Sequence, residues 1–506
     1  MESFTWWSEE HRRLAIEVEQ FVEKTMPRAE EAWWKREIAQ DIYDEIAQRG
    51  YFGVAIPKAY GGMGLGATGA SIMMEAITQL PGILYVFGAS MMGGLHQIMQ
   101  FGSEEQKSRF LPRIAKGESG VISITEPFVG TDASAIETIA RRDGDKYIIS
   151  GKKRFNNGVG VAHRYMLYAR TSDDPGQVAR YQHLTGFIVE KGMAGFSVEK
   201  VNEVLGYDNT PNGCLNLDEV PVPIENRIGK EGEGWRVMTA GLNFERTIIA
   251  AGLLGMFRTA LKAVVGYGQR RIQFGKPTID FVNNQFKIAD LIIKFKLSQL
   301  VTYYTSYLFD SGQDPSIEAS ICKVFNSDMC MEAMVDAIQV MGGDGVTKFY
   351  PLERLFREAK TNQIAGGTSE AIKLVIYRMG LRQMTNDLEW PHKMIHPDLG
   401  VPVSIGGKPK KQSQIDEEKL LKVLAEDYRI NPGLHMSRED LKDHFDVDDK
   451  ILDGLLTALE QKRWLKLYRG KKGIELVKAT YEGLKKANPP EYYQWFPSWV
   501  KKENIF

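Results

Sequence analysis

Apolar positions recur at mixed three- and four-residue spacing from Ser8 onward, first as Leu14, Ile16, Val18, Phe21 and Val22, then through residues 42–47. That period belongs to amphipathic helices, and it predicts a helical domain over residues 1–120. The glycine-rich stretch at residues 57–66 reads as a turn between helices. With no strand before it, it lacks the context of a phosphate loop. Beyond Val121 the pattern changes to short β-rich runs at residues 147–150, 164–169 and 184–189, separated by turns such as Asp143-Gly144-Asp145. These runs predict an antiparallel β domain over residues 121–233. Helical periodicity returns from Gly234 and breaks at Phe274-Gly275-Lys276-Pro277 and Gly342-Gly343-Asp344-Gly345, which predicts a helical bundle over residues 234–385.

Residues 386–414 collect prolines and glycines and end in Lys408-Pro409-Lys410-Lys411, the composition of an extended linker. After it, residues 415–428, 437–445 and 447–464 read as three helices, with Ser437 as an N-cap ahead of Glu439 and Asp440. Two short apolar runs then flank Arg469-Gly470-Lys471-Lys472, a hairpin signal. Three helices followed by a hairpin resemble a winged helix over residues 415–506.

At 506 residues the chain exceeds what one core organises, so several domains are expected. With 43% apolar and 25% charged residues it is a globular chain. Its net charge of −1 gives no global attraction to nucleic acid or an anionic membrane. Cys214, Cys322 and Cys330 form no pair at metal-ligand spacing, so no metal site is predicted; so few cysteines suit a reducing compartment. The acidic N-terminal segment resembles neither a secretory signal nor a transit peptide, and apolar runs such as residues 248–256 fall short of a bilayer span. A cytoplasmic protein without a transmembrane helix is expected.

Chemistry is concentrated in five motifs: Thr125-Glu126-Pro127-Phe128-Val129-Gly130-Thr131-Asp132, Glu245-Arg246, Arg271-Ile272-Gln273-Phe274-Gly275, Gln339-Val340-Met341-Gly342-Gly343, and Gly367-Thr368-Ser369-Glu370. Their order, within the order helices, β domain, helices, resembles the acyl-CoA dehydrogenase family over about residues 4–381. The resemblance implies an α+β fold with an N-terminal helical domain, a middle antiparallel β domain and a C-terminal four-helix bundle. It further implies FAD, an acyl-CoA substrate, an electron-transfer flavoprotein as acceptor, and a homotetramer or dimer sharing flavin sites between subunits. In the implied reaction a carboxylate removes the α-proton while hydride leaves the β-carbon for flavin N5.

In much of the family that carboxylate immediately precedes the Gly-Thr pair, where this chain has Gly366. Isovaleryl-CoA and long-chain relatives place it on an earlier helix, before an arginine, and that position is Glu245. Glu245 is therefore the expected base, with a raised pKa in a dry pocket; the plain alternative is a surface glutamate paired with Arg246. Arg246 resembles the arginine that meets the CoA adenine, and Thr131 and Gly366 would also meet substrate. FAD contacts carry over to Thr125, Gly130, Thr131, Phe155, Asn157, Arg271, Phe274, Gln339, Gly342, Gly343, Thr368 and Glu370, with Arg271 meeting the pyrophosphate. Four departures stand out: Phe155-Asn156-Asn157 replaces a Trp-Ile-Thr strand beside the flavin, Val282 replaces a glutamine, and Gly206-Tyr207-Asp208-Asn209 replaces a Gly-x-Arg-like stretch. The fourth is in residues 83–99, expected to line the acyl pocket: they hold Leu84 in place of an arginine and carry no acid, which favours an apolar acyl group.

Two other readings use the same residues: an oxygen-reducing oxidase, and a catalytically silent regulator acting through the extension. DNA binding by the wing would rest on Arg469, Lys471 and Lys472, but the recognition-helix position begins Asp446-Val447-Asp448-Asp449 and sets carboxylates toward phosphates. Nucleic acid is accordingly disfavoured. The aromatic tail at residues 492–500 is expected to pack on its own chain.

Overall fold

The computed structural model describes residues 3–82, 88, 91, 93–387, 415–430, 435–445, 447–470 and 473–487. Several expectations fall outside them: Leu84 in the acyl-pocket helix, the linker at 388–414, Asp446, the wing tip at Lys471 and Lys472, and the aromatic tail. The chain forms two compact units, Met1–Met384 and Thr385–Phe506.

The first unit opens with helices α1 (Glu9–Trp34), α2 (Gln40–Gln48), α3 (Gly66–Ile77), α4 (Leu95–Phe101) and α5 (Glu104–Ala115). Ser8 starts α1 by accepting a bond from the His11 amide at 3.2 Å. Leu14, Val18, Phe21 and Val22 face the core, whereas Ile16 is 61% exposed. Ile16 thus lies off the buried stripe to which its apolar character assigned it.

An eight-stranded sheet follows, built from β1 (Gly120–Ser123), β2 (Ile139–Asp143), β3 (Lys146–Asn157), β4 (Arg164–Arg170), β5 (Leu184–Glu190), β6 (Phe196–Asn202), β7 (Asn212–Pro223) and β8 (Arg227–Ile228). A short helix α6 (Pro175–Ala179) joins β4 to β5. The sheet is not purely antiparallel, because β1 pairs with β4 in parallel register and β2 touches β4 the same way. Strand β4 is buried on both faces: Tyr165, Leu167 and Ala169 enter the sheet's own core, while Met166 and Tyr168 enter the core shared with the helices. This alternation points the Tyr168 ring toward the helical side.

The last part of the unit consists of α7 (Gly234–Arg270), α8 (Val282–Asp310), α9 (Ser316–Met341), α10 (Leu352–Asn362) and α11 (Ser369–Asp387), with a two-stranded hairpin, β9 (Ile272–Gln273) and β10 (Lys276–Pro277), after α7. Packing is dominated by three long helices, α7 to α9, with the shorter α10 against α9 and α7. The expected C-terminal helical bundle is thus built from three long helices and two shorter ones. Helix α7 is long and apolar enough to cross a membrane by composition, but 67% of its apolar window is buried inside the protein. It is a core helix.

The second unit contains α12 (Glu417–Ile430), β11 (Met436–Ser437), α13 (Arg438–His444), α14 (Asp449–Gln461), β12 (Leu465–Gly470), β13 (Gly473–Ala479) and α15 (Tyr481–Ala487), with its own apolar core. Ser437 caps α13 through the Asp440 amide at 3.0 Å. The two-residue strand β11 pairs with β13, completing a three-stranded sheet that the helix-and-hairpin pattern alone did not show.

Candidate active site

The side chain of Glu245 projects from α7 into the protein and is 4% exposed; its Oε1 has no hydrogen-bond partner among the described residues. Removal from water disfavours the anion and pushes the carboxyl up to about 8, with the Gln97 amide and the Arg246 guanidinium opposing the rise. The paired surface glutamate is thereby excluded. Gln97 comes from α4, packed on α7 so closely that a β-carbon on Gly241 would lie 1.9 Å from Gln97 Nε2. His96 stacks on Phe244 with ring centroids 5.1 Å apart, and burial lowers its pKa to about 4, so it stays neutral.

Arg246 turns away from the carboxyl. Its Nη1 donates to Asn243 Oδ1 at 3.1 Å, and its Nε to the Gly366 carbonyl at 3.4 Å. The turn holding Gly366 is fixed from beneath by Lys323, which is fully buried and donates to the carbonyls of Gln363 and Gly367 at 3.2 and 2.6 Å. Burial, with help from nearby Arg246, lowers the Lys323 pKa to about 8. Gly366 has φ +69°, and a β-carbon there would meet Ile249 Cδ1 at 2.9 Å, so the residue itself resists a side chain. Beyond the turn, the Thr368 hydroxyl caps α11 by accepting from the Ala371 amide at 3.2 Å, and Glu370 is exposed.

Across the sheet, the segment with Thr125, Gly130 and Thr131 is organised by a buried ion pair. Glu126 accepts from Lys153 Nζ at 2.6 Å, from the Thr138 hydroxyl at 2.5 Å and from the Glu137 amide at 2.6 Å. Burial opposes its ionisation, but Lys153 and these bonds hold its pKa below the ordinary value. Lys153 also donates to the Tyr168 carbonyl at 2.7 Å, tying this segment to β4. Thr125 fixes it to β3 by accepting the Arg154 amide at 2.7 Å. Gly130 and Thr131 are exposed. At the β3 bulge Phe155 adopts φ +59° and stays half exposed, with the Arg154 guanidinium 4.6 Å from its ring centroid. Asn157 accepts from Asn212 Nδ2 at 2.6 Å, so that oxygen is already engaged.

The remaining predicted residues gather at the far end of α7. Tyr267 donates to Asp344 Oδ2 at 2.6 Å, joining the helix end to the turn after α9 and bringing Arg271 and Phe274 toward Gln339, Gly342 and Gly343. Phe274 is 95% exposed, and Gly342 has φ +60° with open space about its α-carbon. Glu245 lies within the same helix, about 39 Å from Arg271 at its C-cap at a rise of 1.5 Å per residue. One continuous helix therefore holds the Glu245 and Arg271 positions well apart on the same subunit.

Val282 is 60% exposed. In the stretch at 206–209, Asp208 accepts from Arg357 on α10 at 2.9 Å and Tyr207 meets Asn362, so this departure packs against α10. Sequence reasoning missed Gln97, Tyr168, Lys153 and Lys323. The local pattern did not set them apart, since Gln97 lies beside His96 and Lys153 between Lys152 and Arg154; their burial appears only in the folded chain.

These arrangements match a known class of flavoprotein. Family models for the acyl-CoA dehydrogenase N-terminal, middle and C-terminal domains match residues 8–118, 121–220 and 232–381. An acyl-CoA dehydrogenase of Bacillus subtilis is 34% identical over 364 residues, 71% of this chain and 94% of that protein. Isovaleryl-CoA dehydrogenase of Pongo abelii is 31% identical over 376 residues, 73% of this chain and 88% of that one. Among solved structures, butyryl-CoA dehydrogenase from Megasphaera elsdenii superposes with TM-score 0.71 at 30% identity, covering 76% of this chain and all of that one. A chain from work on the electron transferring flavoprotein of Acidaminococcus fermentans superposes with TM-score 0.72 at 34% identity, covering 75% of this chain and all of that one. The chain belongs to the acyl-CoA dehydrogenase family.

The family's cofactor is FAD. The residues present suit it: exposed Phe155 and Phe274 offer ring faces, Gly130 and Gly342 leave room for close approach, and Arg271 is an exposed cation at a helix end.

Proposed function

We propose that this protein catalyses α,β-dehydrogenation of an apolar acyl-CoA thioester, with Glu245 abstracting the α-proton and electrons leaving to an electron-transfer flavoprotein. The observation carrying this reading is the Glu245 carboxyl, buried, with its Oε1 unpartnered among the described residues and with a pKa raised to about 8, while the alternative base position is a glycine in a left-handed turn. FAD, when bound, supplies the acceptor for the hydride that leaves the β-carbon.

The chain's own residues then divide the work. Thr125, Gly130, Thr131, Phe155 and Asn157 would hold the ring end of the cofactor; Arg271, Phe274, Gln339, Gly342 and Gly343 would hold the pyrophosphate and adenine end of a neighbouring subunit's cofactor, with Thr368 and Glu370 completing the cleft. The length of α7 supports this division and with it a homodimer or homotetramer. Thr131, Arg246 and Gly366 would border the thioester. Burial of Glu245 excludes water, so the carboxylate, once formed, is weakly solvated and strongly basic. The acceptor assignment is supported by the similarity to the Acidaminococcus chain.

A panel of straight, branched and dicarboxylic acyl-CoAs, added without oxygen to follow flavin bleaching and then reoxidised either by electron-transfer flavoprotein or by admitting air, tests substrate and acceptor. Bleaching by apolar thioesters with reoxidation by the flavoprotein is expected. Preference for a dicarboxylic thioester, or peroxide release as the main outcome in air, would contradict it.

A further inference from the structure

Three buried polar atoms meet, one on the proposed base and two beside it. Gln97 Nε2 from α4, Tyr168 Oη from β4 and Glu245 Oε1 from α7 are all fully enclosed and form no hydrogen bond of good geometry among the described residues. They are nevertheless neighbours: the Gln97 amide interacts with both the Glu245 carboxyl and the Tyr168 hydroxyl, and Tyr168 senses the Glu245 charge. Unsatisfied buried polar atoms are rare because each costs about 1–3 kcal/mol, and three in one place mark a site rather than a packing fault.

Donor and acceptor chemistry allows two consistent arrangements. When Glu245 is ionised it can only accept, so the amide N–H must point to it and the Tyr168 hydroxyl must donate to the amide oxygen. When Glu245 is protonated, its O–H donates to the amide oxygen and the amide N–H turns to Tyr168. The amide, carrying both a donor and an acceptor, serves both states, and the absence of a side chain on Gly241 gives it the space to lie against α7. We propose that Gln97 is a positioning residue for Glu245, its amide oriented by Tyr168, so that the carboxylate acquires an N–H donor as it loses its proton.

The inference rests on Glu245 being the base, and the test separates the two. Gln97→Met keeps side-chain length and removes the amide; Tyr168→Phe removes a single oxygen. The readout is the pH dependence of the anaerobic reductive rate constant with one acyl-CoA, with Glu245→Gln as control. Gln97→Met should move the ascending limb up by about one pH unit, a tenfold loss at neutral pH, and Tyr168→Phe should move it the same way by less. Superimposable profiles for wild type and Tyr168→Phe, or for wild type and a folded, flavin-bound Gln97→Met, would overturn the inference while leaving the base intact. Wild-type bleaching by Glu245→Gln would remove the base and the inference together.

Discussion

The Nε of Arg246 donates to the carbonyl of Gly366 across 3.4 Å, so the helix position next to the buried carboxyl and the turn that carries the base in much of the family face each other. The two positions are thus neighbours, and this chain carries a buried carboxyl at one and a glycine in a left-handed turn at the other.

Moving the carboxyl to the second position should therefore fail. In Glu245→Gln/Gly366→Glu, the new side chain must adopt φ near +69° and displace Ile249, at about 1–3 kcal/mol for the backbone alone. The double variant is expected to remain at least about tenfold below wild type in flavin bleaching and to unfold earlier in urea.

The pKa of Glu245 sets two pH dependences. Only the carboxylate is a base, so kcat/KM should climb about tenfold per pH unit and level off above about 8. Stability runs the other way. Because the folded protein keeps a proton that the unfolded chain has released, raising the pH from about 4.5 to about 8 favours unfolding, by at most about 1.4 kcal/mol per pH unit. Glu245→Gln should lack this decline, so its thermal midpoint should gain on wild type between pH 5 and 8.

Lys153 and Glu126 are both buried, and removing only one leaves a stranded charge. Lys153→Met should destabilise by about 3–5 kcal/mol in urea titration and lower bound flavin, because the 125–132 segment loses its anchor. Lys153→Met/Glu126→Gln should recover much of the stability.

The extension carries none of the proposed site residues, so a chain ending at Asp387 should keep flavin bleaching by acyl-CoA. On α14, Asp449 and Asp453 are held by Lys442 at 2.6 Å and Arg438 at 2.7 Å, neutralising cations that a phosphate would need. Full-length protein should show no retention on duplex DNA at physiological salt in fluorescence anisotropy, with or without acyl-CoA.

Much of this was legible in local pattern. Gly234 as the start of a helix, the breaks at 274–277 and 342–345, the Ser437 cap and the Glu245-Arg246 pair all follow from neighbours in sequence. What was not legible is non-local. The parallel pairing of β1 with β4 depends on contacts between distant segments, and β11 is two residues long. Gln97 lies beside His96 on α4 and Tyr168 shares β4 with Tyr165, and only the packing of α4, β4 and α7 shows that Gln97 and Tyr168 meet.

The most direct test is anaerobic addition of a reactive acyl-CoA to FAD-loaded wild type and Glu245→Gln, followed in the visible spectrum. Bleaching in wild type and its loss by several orders of magnitude in the variant, with FAD still bound, is the predicted result. Equal bleaching in both proteins would contradict the assignment of Glu245 as the base.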